Sequence, residues 1–306
     1  MAPILALASS AGAADASGLL VPATLIYRLI VASVLAVIGI AVLVRTRFWR
    51  LPPEKLTDAI GPVTPAAWFF AALALYLLVS ILSSIVSGII LGGAAPPGDF
   101  QSLAIAQGVF AGIACGLSIG TIVVLRRWDR CPPAGRSAWL AGFIRGVLSF
   151  VAAVPMLMLA ADGAVLVHTL LTGFRPPAIA HETLGVLLEH RADPRVIWII
   201  AAAVVGAPAF EETVYRGLLQ RAVAGAFGSR WLGIVGTAVL FALSHRMGPA
   251  PVAWHALASI LLVGLVCGFL REHPRAGLAG AIGFHAAFNL TNIILALYLI
   301  GPAGPD

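Results

Sequence analysis

Charge is what this sequence has least of. Only 10% of its 306 residues are charged and 60% are hydrophobic, against about 25% and about 45–50% in soluble domains. So few charges cannot cover a globular surface, which excludes an ordinary water-soluble domain. Lysine occurs once, at Lys55, and arginine supplies the other eighteen basic residues. Cysteine is nearly absent. The three present, Cys115, Cys131 and Cys267, are far apart and form no C-x-x-C, so no disulfide framework or thiolate metal site is implied. They read as small apolar fillers. An H-E-x-x-H zinc helix is also missing, because His181-Glu182 is followed by no histidine at the required spacing. No internal repeat or low-complexity linker is visible.

What fills the chain instead is long apolar runs. With about 17–20 residues needed to cross a bilayer, eight spans are predicted near 22–44, 66–92, 103–125, 139–171, 196–220, 231–250, 253–271 and 278–300. The expected fold is an all-α polytopic transmembrane bundle whose last four helices form the core. By that division, residues 1–21 are an N-terminal tail and 22–194 an N-terminal transmembrane region. The core occupies 195–300, and 301–306 form a C-terminal tail. The fourth span is overlong and contains Pro155, which predicts a kink or an interfacial extension. Residues 181–190 (HETLGVLLEH) read as a short amphipathic surface helix. Residues 1–18 have the small residues of a signal peptide but no basic start and only a brief apolar run, so they read as an uncleaved polar tail.

The net charge of +6 does not point to nucleic acid, because the arginines sit in short loops between spans. Thirteen of the nineteen basic residues fall in alternate loops, around 45–55, 126–136, 216–230 and 271–275. Since cytoplasmic loops carry the Arg excess, both termini are expected outside. The arginine bias, with many Ala and Gly, suggests a GC-rich bacterial genome, and the expected location is the bacterial inner membrane. Arg28 and Arg145 lie within spans, near enough to an end to snorkel, and Asp162 and His168 read as interfacial.

Ionisable groups inside apolar helices carry the functional signal. The fifth segment, VIWIIAAAVVGAPAFEETVYRGLLQR, places Glu211 and Glu212 after fifteen residues of almost unbroken apolar sequence. A charge at bilayer depth costs roughly 3 kcal/mol even on lenient scales, so each needs a partner, water or protonation. Glu212 and Arg216 are spaced i, i+4 and can neutralise each other as a structural salt bridge. Glu211 points about 100° away and has no cation on its own face. Phe241 and His245 in the sixth span, and His285 and Asn289 in the eighth, are also i, i+4 pairs. Alone, His245 could be interfacial and His285/Asn289 a hydrogen-bonding pair between helices. Together, polar groups on three otherwise apolar helices suggest one site. Asn292 reads as packing.

Glu211-Glu212-x-x-x-Arg216, Phe241-x-x-x-His245 and His285-x-x-x-Asn289 resemble, in order, the three motifs of the CPBP family. This family comprises the CAAX prenyl endopeptidases and bacteriocin-processing or immunity-type membrane proteins, also called the ABI family. The stretch GLVCGFLREHPRAGLAGAIGFHAAFN resembles its last block. The resemblance covers about residues 195–295. It implies an intramembrane endopeptidase in which Glu211 is the base that activates water and His245 helps hold that water. His285 and Asn289 would be oxyanion donors, with Glu212, Arg216 and Phe241 in support. It implies no cofactor and no metal; the partners are the lipid bilayer and a membrane protein or peptide substrate.

Three rival readings stay open. Two histidines and a carboxylate could bind Zn²⁺ with an open position, although Asn289 is a poor zinc ligand. The fold could serve a non-catalytic bacteriocin-immunity or membrane scaffold protein. A proton-coupled transporter would be expected to show repeated halves with broken helices, and none is apparent. Nothing in the sequence identifies the substrate. The spans also leave Glu211 and Asn289 near mid-membrane but His245 closer to the outer face.

Overall fold

A computed structural model describes residues 21–46, 63–93, 99–128, 136–176, 182–247 and 251–299. Every regular element among them is helical: α1 Ala23–Thr46, α2 Pro65–Leu91, α3 Phe100–Trp128, α4 Arg136–Thr172, α5 Glu182–Glu189, α6 Val196–Phe227, α7 Arg230–Met247, α8 Leu257–Glu272 and α9 Gly277–Leu299. Local chemistry sets several ends. The Thr64 hydroxyl accepts from the Ala67 N–H, Pro65 occupies the first turn of α2, and Gly92 closes it in the left-handed conformation. Gly228, with φ of 66°, ends α6 and turns the chain into α7.

Among the described residues, seven helices are long and apolar enough to cross a membrane. The expected span 231–250 corresponds to α7, which is outside those seven because Arg230, Ser244, His245 and Arg246 load its ends with polar groups. The chain is thus an integral, all-helical membrane protein. Large apolar side chains such as Phe70, Ile89 and Leu171 face outward, as lipid contact requires. The fourth span is one helix of 37 residues, unbroken through Pro155. The surface helix expected at 181–190 is α5, with Leu187 buried against Phe100, Val196 and Ile199. The tails and the 129–135 loop holding Cys131 lie outside the described residues. Cys115 and Cys267 are free thiols, and Cys267 is wholly buried.

Small residues decide how the helices approach. A Cβ on Gly146 of α4 would lie 2.0 Å from the Gly280 carbonyl oxygen of α9, and one on Gly283 would lie 2.3 Å from the Phe143 oxygen. No side chain fits there, so α4 and α9 meet backbone to backbone, the usual way to gain packing where lipid supplies no hydrophobic drive. Gly264 of α8 lies similarly against Ala238 of α7. With Phe150 on Phe284 one turn further along, α4 and α9 run parallel.

Two of the expectations about charged residues need correction. Arg28 does not snorkel and Asp162 is not interfacial: they are 4% and 1% exposed, and Arg28 Nη2 donates to Asp162 Oδ1 at 2.5 Å. Pairing α1 with α4 lets both charges stay inside, which no single-helix reading can reveal. Arg145 is exposed at the opposite end and donates to the Arg275 carbonyl.

Candidate active site

The carboxylate helix α6 is irregular where the site is built. Residues Ala202–Gly206 and Thr213–Leu219 form π turns, a feature that often marks functional sites. The Ala207 N–H reaches five residues back to the Ala202 oxygen. The same step from Ala203 lands on Pro208, which has no N–H. The carbonyl of Ala203 is taken instead by Asn289, whose Nδ2 donates to it at 2.7 Å. Proline in α6 and asparagine in α9 are therefore complementary, and the contact fixes the two helices in register.

One turn deeper, Glu212 and Arg216 are both fully buried and form the expected i, i+4 ion pair, Nη1 to Oε1 at 3.2 Å. Arg216 Nη2 also donates to the Gly264 carbonyl, and its guanidinium lies 4.3 Å above the Phe241 ring. Phe241 acts as a spacer: His245, His285 and Tyr215 each meet it edge to face, at 4.6, 5.7 and 5.1 Å. A contact that sequence reasoning missed joins Glu212 to His285, whose Nδ1 lies 2.8 Å from Oε1. A carboxylate in an ion pair only accepts, so Nδ1 carries the proton.

His245 shows the same pattern. Its Nδ1 lies 2.8 Å from the Phe241 carbonyl, which only accepts, so this ring also carries its proton on Nδ1. Both histidines thereby turn Nε2 toward Glu211, at 4.0 Å for His245 and 3.8 Å for His285. Glu211 Oε2 has no hydrogen-bond partner among the described residues. The three groups surround a gap too wide for direct hydrogen bonds and suited to a water between them.

The apparent mismatch in depth disappears once the hairpin is known. Glu211 and His245 each lie seventeen residues from Gly228, so α6 and α7 bring them to one level. Glu211, His245, His285 and Asn289 all line one cavity of about 710 Å³. Phe241 also reaches it, whereas Glu212 and Arg216 lie behind the wall. Asn292 lines the cavity but donates to the Phe288 carbonyl of its own helix. The residue signals missed in the sequence are Pro208, readable as a broken donor in a membrane helix, and the Arg28–Asp162 pair, which also borders this cavity.

These features define a polytopic helical membrane protein with a carboxylate–histidine site in a largely apolar cavity. Residues 193–291 match the family described as type II CAAX prenyl endopeptidase, Rce1-like, which supports a likeness of this core to the CPBP/CAAX protease family. No curated protein and no solved structure matches the chain.

Proposed function

We propose that the chain hydrolyses a peptide bond of a membrane-associated protein or peptide with water activated by Glu211. The observation carrying this reading is the unpartnered Glu211 Oε2, faced at about equal distance by the Nε2 atoms of His245 and His285. A water held there donates one hydrogen bond to the carboxylate and one to the Nε2 lone pair of a histidine, leaving a lone pair for attack on a carbonyl, and only the proton on the carboxylate side is transferred. Glu211 takes the proton and returns it to the leaving amine. Glu212 fixes the tautomer and orientation of His285, and Arg216 balances its charge. The developing oxyanion faces the second Nδ2–H of Asn289, the first being bound to Ala203. His285 Nε2 serves as a donor only once it has taken up a proton. A preorganised donor of this kind is worth about 10²–10³ in rate.

The core is assigned to residues 195–300, with 22–194 wrapping it in a bacterial inner membrane. The partners are the bilayer and a peptide substrate, with no cofactor. The test is a comparison of wild-type and Glu211→Gln chains in source membranes, reading new peptide termini by mass spectrometry. Termini present only with wild type support the enzyme; none with either favours a binding or immunity protein. Cleavage by purified protein that stops on exhaustive chelation would favour the zinc alternative over the water-only one.

A further inference from the structure

Three side-chain amides line the cavity, those of Gln107, Asn289 and Asn292. Two of them are engaged within the protein: Asn289 donates to the Ala203 carbonyl and Asn292 to the Phe288 carbonyl. Gln107 differs from both. It lies seven residues past the start of α3, in the apolar run LAIAQGVFAGIACG. It is partly buried, and its amide makes no hydrogen bond among the described residues. An amide without partners in apolar surroundings costs stability, so a polar group of this kind inside a membrane helix calls for a ligand.

Its depth follows from α3 and α6, which run parallel. A Cβ on Gly206 would lie 2.8 Å from Ala111, and one on Gly217 would lie 3.3 Å from the Leu125 side chain. Gln107, one turn before Ala111, is therefore level with Ala202. Asn289 meets the neighbouring Ala203 from α9, so α3 and α9 both pack against the Ala202–Gly206 turn. From that turn Ala203, Ala207 and Glu211 follow at i, i+4 and i+8 on one face of α6, and all three line the cavity. Ala203 and Glu211 are about 12 Å apart at 1.5 Å per residue. That is the length of about three to four extended residues at about 3.3 Å each.

We propose that Gln107 binds the main chain of the peptide whose scissile bond lies at Glu211, pairing with the N–H and C=O of one extended residue. This rests on the proteolytic reading for the presence of a peptide at Glu211. The side-chain amide holds an acceptor and a donor in one plane. An extended residue turns its own N–H and C=O to one side, as at the hydrogen-bonded positions of an antiparallel ladder. A residue inside an α-helix cannot answer, because both groups are already bonded within its own helix. Gln107 thereby selects backbone that is extended about three to four residues from the scissile carbonyl, whatever side chain that residue carries. It acts on the substrate and stays remote from the reacting water.

The test measures binding, so it does not depend on turnover. The full chain carrying Glu211→Gln is placed in phosphatidylcholine nanodiscs and titrated with the dansyl-tagged peptide Leu-Ala-Phe-Ala-Val-Ala-Ile-amide. A series of esters of the same sequence follows, in which one peptide N–H at a time is replaced by oxygen. One ester, or two adjacent ones, should bind about tenfold more weakly than the all-amide peptide, and the others within about twofold of it. Gln107→Met puts an apolar chain of similar length in place of the amide and should abolish the difference. Because Gln107 bonds to no other described residue, this variant should unfold at the parent Tm or above it. Gln107→Asn keeps the polarity but withdraws the amide by one methylene, and should also lose the difference even if the Met variant fails to fold. A scan with no sensitive position in the parent chain overturns the proposal, as does a sensitive position that survives both substitutions. Equal weakening of every peptide by Gln107→Met overturns it too, and would make Gln107 the anchor of a water or of the cavity wall. Each of these leaves hydrolysis at Glu211 standing; a sensitive position that depends on Gln107, in a protein whose wild-type chain cleaves nothing, overturns only the catalytic reading.

Discussion

Glu211 and Glu212 are neighbours in sequence, and the same isosteric change should affect them in opposite ways. In Glu212→Gln the buried Arg216 loses its counter-charge while keeping its bond to Gly264 and its place over Phe241. Breaking one side of a fully buried pair costs about 3–5 kcal/mol, and the retained contacts argue for the lower end. His285 keeps an acceptor only if the amide oxygen faces Nδ1, which turns the amide nitrogen toward Arg216 or the protein interior. Glu211→Gln removes no hydrogen bond to Oε2 and leaves a 23% exposed side chain, so its stability should stay within about 1 kcal/mol of wild type. Thermal unfolding of the purified chain in detergent, followed through its seven tryptophans, measures both. Glu212→Gln should lower Tm by roughly 5 °C or more and Glu211→Gln by little. Cleavage in membranes should be lost in both. Equal stability of the two variants, or a greater loss in Glu211→Gln, would refute the division into a supporting and a reacting carboxylate.

Other expectations follow from single contacts. Asn289→Ala strands the Ala203 carbonyl and should cost about 1–3 kcal/mol; adding Pro208→Ala restores an N–H and should recover part of it, which a double-mutant cycle by thermal unfolding will read. Gly146→Leu puts a side chain where the Gly280 carbonyl already lies, so α4 should part from α9, with loss of the folded fraction on size exclusion. At the start of α6, the Arg195 side-chain bonds hold the Asp193 carboxyl at about 2. A depressed folded pKa contributes above the unfolded value, about 3.9, and is lost as pH falls through the folded one. Hydrogen-exchange protection of residues 190–196 should therefore be constant above about pH 4 and fall toward pH 2, with no such step in Asp193→Asn. Arg216→Lys keeps the charge but cannot keep the fork geometry or the stacking over Phe241, and should lower Tm while leaving the pair neutral.

Much of the molecule is determined by sequence alone. Apolar length and scarce charge fix a helical membrane protein, because the bilayer admits few other solutions for the backbone. The i, i+4 spacing made the Glu212–Arg216 pair legible, since both residues lie on one helix and need no other to meet. Three motifs on three apolar helices indicated which residues gather. What only the tertiary structure decided involves pairs of helices. The match in depth between Glu211 and His245 depends on where the α6–α7 hairpin turns. Each Nε2 of His245 and His285 faces Glu211 because a partner from the backbone or another helix claims Nδ1. Arg28 and Asp162, 134 positions apart, each look like a charge near a span end until α1 is laid against α4. Sequence specifies the energy of leaving a polar group in lipid; the packing of helices decides which partner relieves it.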